Sequence, residues 1–302
     1  MSPDALFFLE TVISGLMTGV MYSLVALGFV LIFKASGIFN FAQGVMCLFA
    51  ALTLVGIMEK LGAPAWVALL LTAMVMWGLA WLIERCVLRY MVNQEPIILF
   101  MATIGLAYVL EGVGDIVWGS DVKVLDLGLP QGAWDWALDN HNIYIEKLEI
   151  VAGVTAAILV AVLAVFFQKT RTGRALRAVA DDHQAALSVG ISLETIWVVV
   201  WTVAGIVALV AGVMWGSKSG VQFSLSLIAL KALPVLILGG FTSVPGAIIG
   251  GLIIGVGEKL AEIYIGPFVG GAIENWFAYM LALAFLLFRP QGLFGERIIE
   301  RV

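Results

Sequence analysis

The chain consists of long apolar runs separated by short polar stretches, and the lengths of these runs are suited to crossing a membrane. A helix that spans the hydrocarbon core of a bilayer needs about 20 mostly apolar residues. Nine runs approach this length, at residues 6–33, 41–58, 64–83, 96–118, 148–167, 196–216, 225–241, 244–257 and 273–288. Because the first run is long and 244–257 is short, the pattern predicts eight to ten spans. We expect one all-α, polytopic transmembrane helix bundle that occupies residues 1–302.

The arginines predict how the spans are oriented. All eight lie in three polar regions, and they are Arg85, Arg89, Arg171, Arg174, Arg177, Arg289, Arg297 and Arg301. If nine spans alternate in direction, the three regions lie on one side, and the positive-inside rule places that side in the cytoplasm. The N-terminus, which carries Asp4 and Glu10 but no basic side chain, is therefore predicted outside and the C-terminus inside. This orientation makes the long connection 119–147 an external loop.

The external loop 119–147 is acidic, and two of its tryptophans, Trp134 and Trp136, alternate with polar residues. An acidic outer surface of this kind suits the docking of an external protein. Tryptophan is also enriched where a protein meets the membrane–water interface, so the loop could instead be anchored there. The sequence leaves both interpretations open.

The composition is that of a membrane protein. Of the residues, 62% are hydrophobic and 12% are charged, whereas soluble domains average about 25% charged residues. Cys47 and Cys86 lie in or beside separate apolar runs without a CxxC pattern, so we interpret both as small buried hydrophobic residues. Three pairs of glycines lie four residues apart inside apolar runs, Gly15 with Gly19, Gly246 with Gly250, and Gly251 with Gly255. Such pairs predict close helix packing in lipid.

The motifs of common enzyme and metal sites are missing from the sequence. It lacks the GxxxxGK[ST] phosphate loop, the HExxH zinc motif and the GxSxG nucleophile motif. The only histidines, His141 and His183, lie in predicted loops, which argues against a metal site within the membrane. We therefore expect no catalytic residue, no metal and no cofactor in this chain, and no nucleic-acid partner.

Charged residues inside apolar runs are candidates for function, because a charge within a membrane is energetically costly. Glu111 and Asp115 lie four residues apart on one face of the helix predicted at 96–118, and Lys231 lies within the run 225–241. A proton- or sodium-coupled transporter would use such groups as a relay. Alternatively, Asp115 lies at the interface, and Glu111 faces the bundle interior or pairs with a neighbour.

Two amide side chains, Asn40 and Gln43, lie at the edge of an apolar run. Together with Glu111 they are candidates for the lining of a translocation path. Equally, the two amides could serve as helix caps and as hydrogen-bonding groups between helices.

The polar segment 169–192 predicts two short helices between membrane spans. Residues 173–180 are rich in Ala and Arg, which favour helix. Asp181 can cap a second helix that has Gln184 at its third position, as in a capping box, and Gly190 would end this helix with a positive φ.

The second of these helices would carry Ala185 and Ala186. Together with Leu187 and Val189, they would present small apolar surface to the cytoplasm. A membrane protein that exposes such a surface is expected to bury it against a cytosolic partner.

The same segment carries a motif found in transporters. Residues 184–190, QAALSVG, resemble the EAA---G signature of importer permeases of the ATP-binding cassette class, with Gln in place of Glu. Three further blocks, at 28–44, 236–251 and 289–295, are similar to the branched-chain amino acid permease family, and the resemblance covers essentially the whole chain. Since no extension precedes the first block, the chain is similar to the shorter of the two permeases that these systems pair.

The resemblance implies the permease subunit of an ATP-driven importer in the bacterial inner membrane. Its partners would be a second, homologous permease, two cytosolic ATP-binding cassette subunits that hold ATP and Mg²⁺, and a periplasmic substrate-binding protein. Members of the family carry branched-chain amino acids, but also urea, short amides and aromatic acids. The residues expected to couple this chain to the ATPase subunits are Arg174, Arg177, Asp181, Asp182, Gln184, Ala185, Ala186 and Gly190.

Two other functions remain as alternatives. An ion-coupled secondary transporter would need Glu111 for transport. A membrane scaffold without transport activity would lack neighbouring genes for ATPases and a binding protein.

Overall fold

The computed structural model describes residues 3–91, 94–181, 186, 188 and 190–295. These residues fold mainly into helices, which we number in chain order. They are α1 Pro3–Ser36, α2 Gln43–Leu61, α3 Ala65–Cys86, α4 Pro96–Trp118, α5 Asp135–His141, α6 Lys147–Lys169, α7 Arg171–Asp181, α8 Leu193–Ser219, α9 Ile228–Gly239, α10 Val244–Tyr264, α11 Gly266–Val269 and α12 Glu274–Phe288. Two 3-10 helices cover Leu88–Met91 and Phe223–Leu227. The predicted all-α class is confirmed.

Among the described residues, seven helical segments are long and apolar enough to cross a membrane, and they are Asp4–Ser36, Gln43–Leu61, Ala65–Met91, Pro96–Trp118, Lys147–Lys169, Leu193–Ser219 and Val244–Tyr264. Two further apolar segments, Phe223–Gly239 and Trp276–Phe288, are shorter. Each of the nine predicted runs therefore contains an apolar helix. The short run 244–257 continues as a helix to Tyr264, forming α10. The multi-pass membrane class is confirmed, and the orientation of the termini stays a prediction.

The chain divides into two compact units. Unit 1 lies within Met1–Ala26, Gly128–Ala157 and Leu230–Val302, and unit 2 lies within Leu27–Leu127 and Ile158–Ala229. Helices α1 and α6 contribute residues to both units, because each contains a boundary between them.

In unit 1, glycines bring α1 and α10 into backbone contact. A Cβ atom on Gly19 would lie 2.3 Å from the carbonyl oxygen of Gly251, and one on Gly255 would lie 2.4 Å from the carbonyl oxygen of Gly15. No side chain larger than hydrogen fits these positions without a shift of the backbone. The close packing predicted from the glycine spacing is thus confirmed.

The end of the described chain packs against the turn between α9 and α10, also within unit 1. The N–H of Leu293 donates to the carbonyl of Leu238 at 2.8 Å, and the N–H of Phe294 donates to that of Gly239 at 3.2 Å. Two of the sequence blocks that carried the resemblance, 236–251 and 289–295, are therefore in direct contact.

Unit 2 is organised around α2, which is buried from Gln43 to Ile57 and packs against α3, α4 and α8. A Cβ atom on Gly212 of α8 would lie 2.4 Å from the carbonyl oxygen of Cys47, so this contact also depends on glycine. Cys47 is buried as predicted. Cys86 is exposed, contrary to the prediction, because it is the last residue of α3 and lies beyond the apolar part of that helix.

The part of loop 119–147 that belongs to unit 1 is folded around α5. Ala133 and Glu146 form an isolated antiparallel bridge, and Lys147 pairs with Asp135 at 2.8 Å. The hydrogen bond from Lys147, aided by its charge, lowers the pKa of the Asp135 carboxyl. The pair therefore stays intact above the ordinary carboxyl pKa and is lost only as the pH falls through the lowered value.

The two tryptophans of this loop lie together at its surface. The rings of Trp134 and Trp136 are 5.3 Å apart, and both side chains are exposed. Exposed aromatic side chains suit a protein-docking surface and an interfacial anchor alike, so both interpretations of the loop stay open.

Candidate functional site

The first predicted helix of the segment 169–192 is present as α7. The Oγ1 of Thr170 accepts a hydrogen bond from the N–H of Gly173 at 2.9 Å, as an N-cap residue does. A Cβ atom on Gly173 would lie 2.3 Å from the carbonyl oxygen of Phe166, so glycine permits α7 to turn back onto the last turn of α6. The helix predicted at 173–180 is confirmed, with slightly wider bounds.

Helix α7 has one apolar and one basic face. Leu176 is 2% exposed and Val179 is fully buried, and α7 packs against α8. Arg171, Arg174 and Arg177, spaced three residues apart, are all exposed. Residues at this spacing share one face of a helix. The segment therefore presents a basic surface while its apolar face is covered by the same unit.

The second half of the segment is only partly described. Gly190 has φ +83°, which confirms the predicted positive value. Ala186 is only 2% exposed, so its side chain does not present the apolar surface that was expected, and its part in coupling stays a prediction. The coupling residues Asp182, Gln184 and Ala185 lie outside the described residues, as does the side chain of Asp181.

An ion network that the sequence analysis missed joins α3 to α8 in unit 2. Arg89 contacts Glu84 of α3 at 3.3 Å and Glu194, in the first turn of α8, at 2.6 Å. The network places Arg89 at the end of unit 2 where α8 begins, and α7 packs against the same helix. Only the local part of this network could have been found, since Glu84 lies five residues before Arg89, whereas Glu194 is 105 residues away from Arg89 in the sequence.

The structure brings Asn40 and Gln43 together at the start of α2, where both are fully buried. Asn40 Oδ1 accepts a hydrogen bond from the N–H of Ala42 at 3.1 Å, and Asn40 Nδ2 donates to Gln43 Oε1 at 3.3 Å. The side chain of Asn40 thus stabilises the turn before α2, whereas the side chain of Ala42, the N-cap residue, makes no capping hydrogen bond. Gln43 Nε2 lies close to Gly28 and has no hydrogen-bond partner among the described residues. Their part in a translocation path stays a prediction.

The two acidic residues of α4 are less buried. Glu111 is half-buried and Asp115 is exposed. Neither carboxylate forms an ion pair within the described part of the chain. The structure therefore does not join them to Lys231 or to each other as a relay.

Lys231 has a buried partner instead. Its Nζ lies 2.7 Å from Oε1 of Glu258, which also accepts a hydrogen bond from the hydroxyl of Tyr22 at 3.1 Å. The apolar pattern does not reveal Glu258, because the predicted run 244–257 ends at the residue before it. The signal that could have found it was Lys231 itself, since a lysine within an apolar helix needs a counter-charge.

Comparison with known proteins identifies the family of this chain. The profile of the family described as "Branched-chain amino acid transport system / permease component" matches residues 11–289. The high-affinity branched-chain amino acid transport system permease protein LivH of Salmonella typhimurium is 29% identical over 319 residues, covering 100% of both chains. The corresponding protein BraD of Pseudomonas aeruginosa is 28% identical over 311 residues, covering 99% of this chain and 100% of BraD.

A more distant relative comes from Methanocaldococcus jannaschii. Its probable branched-chain amino acid transport permease protein LivH is 28% identical over 285 residues, covering 90% of this chain and 88% of that protein. The family profile alone extends over far more than half of the chain. The chain therefore belongs to the family of permease components of branched-chain amino acid transport systems, and it is a transport protein rather than an enzyme.

Proposed function

We propose that this chain forms part of the translocation path of an ATP-driven importer for branched-chain amino acids in the bacterial inner membrane. The family and the names of its relatives support this cargo. The exposed basic face of α7 is the single structural observation that carries the proposal. It is a charged surface outside the spans, and it is exposed in the described part of the chain.

The partners in this proposal are a second, homologous permease, two cytosolic ATPase subunits and a periplasmic binding protein. ATP and Mg²⁺ would be held by the ATPase subunits, and this chain would receive their movement. A helix that lies outside the spans and packs against them is suited to transmit this movement to the spans. Helix α7 has both properties.

The path of the movement follows from contacts within unit 2. Helix α7 follows α6 after one residue, Thr170, and packs against α8. The first turn of α8 is tied to α3 through Arg89. A displacement of α7 would therefore act on three membrane helices at once. Packed helices that change between two arrangements are a known means of amplifying such small displacements.

The test is charge reversal on the basic face of α7. In the double variant Arg174→Glu/Arg177→Glu, the two exposed side chains remain charged and hydrated, but their negative charges repel an acidic partner surface. We expect loss of the ATPase subunits during purification in mild detergent, and at least about tenfold slower leucine uptake in proteoliposomes, since each misplaced charge at an interface has a large effect. The spans should remain folded, because the substitutions lie outside them.

The matched control is Arg174→Lys/Arg177→Lys, which keeps both positive charges and should keep the ATPase subunits bound. If the glutamate variant retains both the ATPase subunits and normal uptake, α7 is not the coupling surface. Uptake should be measured for leucine, isoleucine and valine with urea and acetamide as competitors. Competition by urea alone would move the cargo assignment to small amides.

A further inference from the structure

A buried charged cluster lies inside unit 1, where three membrane helices meet. Lys231 of α9 and Glu258 of α10 form an ion pair at 2.7 Å, and Tyr22 of α1 donates to the same carboxylate oxygen, Oε1, at 3.1 Å. Lys231 Nζ also lies 3.1 Å from the carbonyl oxygen of Glu274. Neither the coupling surface nor the packing of the helices explains this cluster. Apolar side chains of similar volume would fill the same space, often with equal or greater stability.

The two charges of the cluster are not equally satisfied. Glu258 is 1% exposed, and its second oxygen, Oε2, has no hydrogen-bond partner among the described residues. A buried carboxylate oxygen without a donor is rare in folded proteins. Tyr22 and Lys231 both occupy Oε1, and so they hold the carboxylate in place while Oε2 remains free to accept.

Lys231 provides the approach to this site. Its side chain is 24% exposed, although the residue lies in an apolar helix. An ammonium group that faced hydrocarbon would be strongly unfavourable. The exposed part of Lys231 must therefore face a polar environment, such as a water-filled path or a partner subunit.

The depth of the cluster fits entry from outside. Glu258 lies six residues before the end of α10 at Tyr264, a distance of about 9 Å along the helix axis. Lys231 is the fourth residue of α9. The predicted orientation places both of these helix ends on the outer side, so a solute delivered from outside would pass this level soon after it enters.

We propose that Lys231 and Glu258 form a binding subsite for the zwitterionic head group of an α-amino acid. The ammonium group of the solute would donate to Glu258 Oε2, and its carboxylate would accept from Lys231 Nζ. Tyr22 is a positioning residue that keeps Oε1 occupied. The inference rests on the proposed import function, and it narrows the cargo to α-amino acids over urea and simple amides, which lack this pair of opposite charges.

Charge balance supports the arrangement. Before the solute enters, the two protein charges neutralise each other. When a zwitterion inserts between them, each of the four charges faces an opposite one, and the net charge of the site remains zero. No step leaves an unpaired charge in a medium of low dielectric constant, which would be the expensive state. A neutral amide cannot replace either partner of the ion pair in this way.

The experiment replaces the ion pair by apolar residues in the complete, reconstituted importer. The variant Lys231→Met/Glu258→Met removes both charges together, so no buried charge is stranded and the helices should assemble with unchanged thermal stability. We expect leucine uptake to fall by about tenfold or more, since each charge-assisted hydrogen bond lost is worth at least that factor. ATPase activity stimulated by the loaded binding protein should persist, because the coupling surface is intact.

The matched control is Lys259→Met, which removes a neighbouring, more exposed lysine of α10 and leaves Glu274, whose carbonyl contacts Lys231, unchanged. It should transport like the unmodified protein. The conservative variant Glu258→Asp retains a carboxylate and should recover part of the uptake, whereas a purely structural pair would show no such ranking once stability is unchanged.

The outcomes separate this inference from the proposed function. If the unmodified importer moves leucine and the apolar pair variant moves it equally fast, the subsite is overturned while the import function stands. Loss of ATPase stimulation together with uptake would also overturn it, and would make the pair a mechanical contact. If the unmodified complex moves no amino acid at all, the proposed function itself fails.

Discussion

Where α1 crosses α10, glycines let the two backbones touch directly. At Gly15, Gly19, Gly251 and Gly255 a single added methyl group would lie less than 3 Å from backbone atoms of the facing helix. Backbone atoms cannot rotate away as a flexible side chain can. The stability of unit 1 therefore depends on having glycine, which has no Cβ atom, at these four positions.

The first prediction tests this dependence. Gly19→Ala should destabilise the protein by about 1–3 kcal/mol, the usual effect of inserting a methylene-sized group into a packed core. The measurement is the temperature at which half of the protein survives heating in detergent, followed by size-exclusion chromatography. Gly112→Ala is the matched control, because a Cβ atom there meets nothing within 4 Å, and its stability should not fall. Equal behaviour of the two variants would contradict the close crossing.

The second prediction concerns Glu111, which is half-buried and forms no ion pair within the described residues. If ATP on partner subunits supplies the energy, Glu111→Gln should keep substantial uptake, since the amide preserves shape and hydrogen bonding while it removes the charge. Uptake driven by ATP in proteoliposomes without an ion gradient is the measurement. Complete loss of transport in a variant that still assembles would favour the ion-coupled alternative.

At the residue scale, sequence patterns predicted glycine contacts better than charge contacts. The glycine pairs could be predicted because their spacing alone places them on one helix face. Glu258 could not be found in this way, because a hydropathy window treats a charged residue as the end of a span. In the structure, α10 continues past Glu258 to Tyr264. Lys231, on another helix, balances the charge of Glu258. Such partners are distant in sequence and invisible to a local pattern.

At the scale of elements, α7 is held by a small apolar face. Leu176 and Val179 are buried, whereas their neighbour Ala178 is exposed. This alternation lets the two faces be tested separately. It also explains why the first short helix of the polar segment could be predicted, since its arginines recur every three residues on the face away from the unit.

The third prediction uses this alternation. Val179→Asp would bury an unpaired charge, which is strongly unfavourable, so α7 should detach from α8. Limited proteolysis of inside-out vesicles should then cleave the chain near α7 much faster than in the unmodified protein. Ala178→Asp adds the same charge on the exposed face and should leave the cleavage rate unchanged. Equal protection of both variants would show that α7 is held by other contacts.

Helix boundaries were harder to predict than helix existence. Every apolar run contains a helix, but α10 extends beyond its run and Cys86 lies exposed at the end of α3. Ala186 is a similar case, because small apolar residues suit a partner interface and a buried contact equally well. Only the packing of the surrounding chain decides between these, and the sequence of the segment does not contain that information.

At the scale of the whole molecule, the orientation in the membrane is the main untested expectation. Cys86 lies at the predicted cytoplasmic end of α3 and is exposed, whereas Cys47 is buried. The native chain therefore carries one reporter of sidedness. Asp126 is exposed in the loop predicted to be external, and it offers a second position.

The fourth prediction follows from these two positions. Cys86 should react with a membrane-impermeant maleimide only after spheroplasts are permeabilised. In a Cys86→Ser background, Asp126→Cys should react in intact spheroplasts. The measurement is the mass of the labelled protein. The reverse pattern would invert the topology and would place α7 on the outer side, where no ATPase could reach it.

The length of α1 makes its tilt in the membrane depend on the thickness of the bilayer. With 34 residues, α1 is about 51 Å long, whereas the hydrocarbon core of a bilayer is about 30 Å thick. A helix of this excess length must tilt or project beyond the core, and its tilt changes when the acyl chains of the surrounding lipid become longer or shorter. Because α1 carries Gly15 and Gly19, every such change in tilt acts on its crossing with α10. Lipid acyl-chain length is therefore a control variable for this transporter, in addition to its cargo and its energy source.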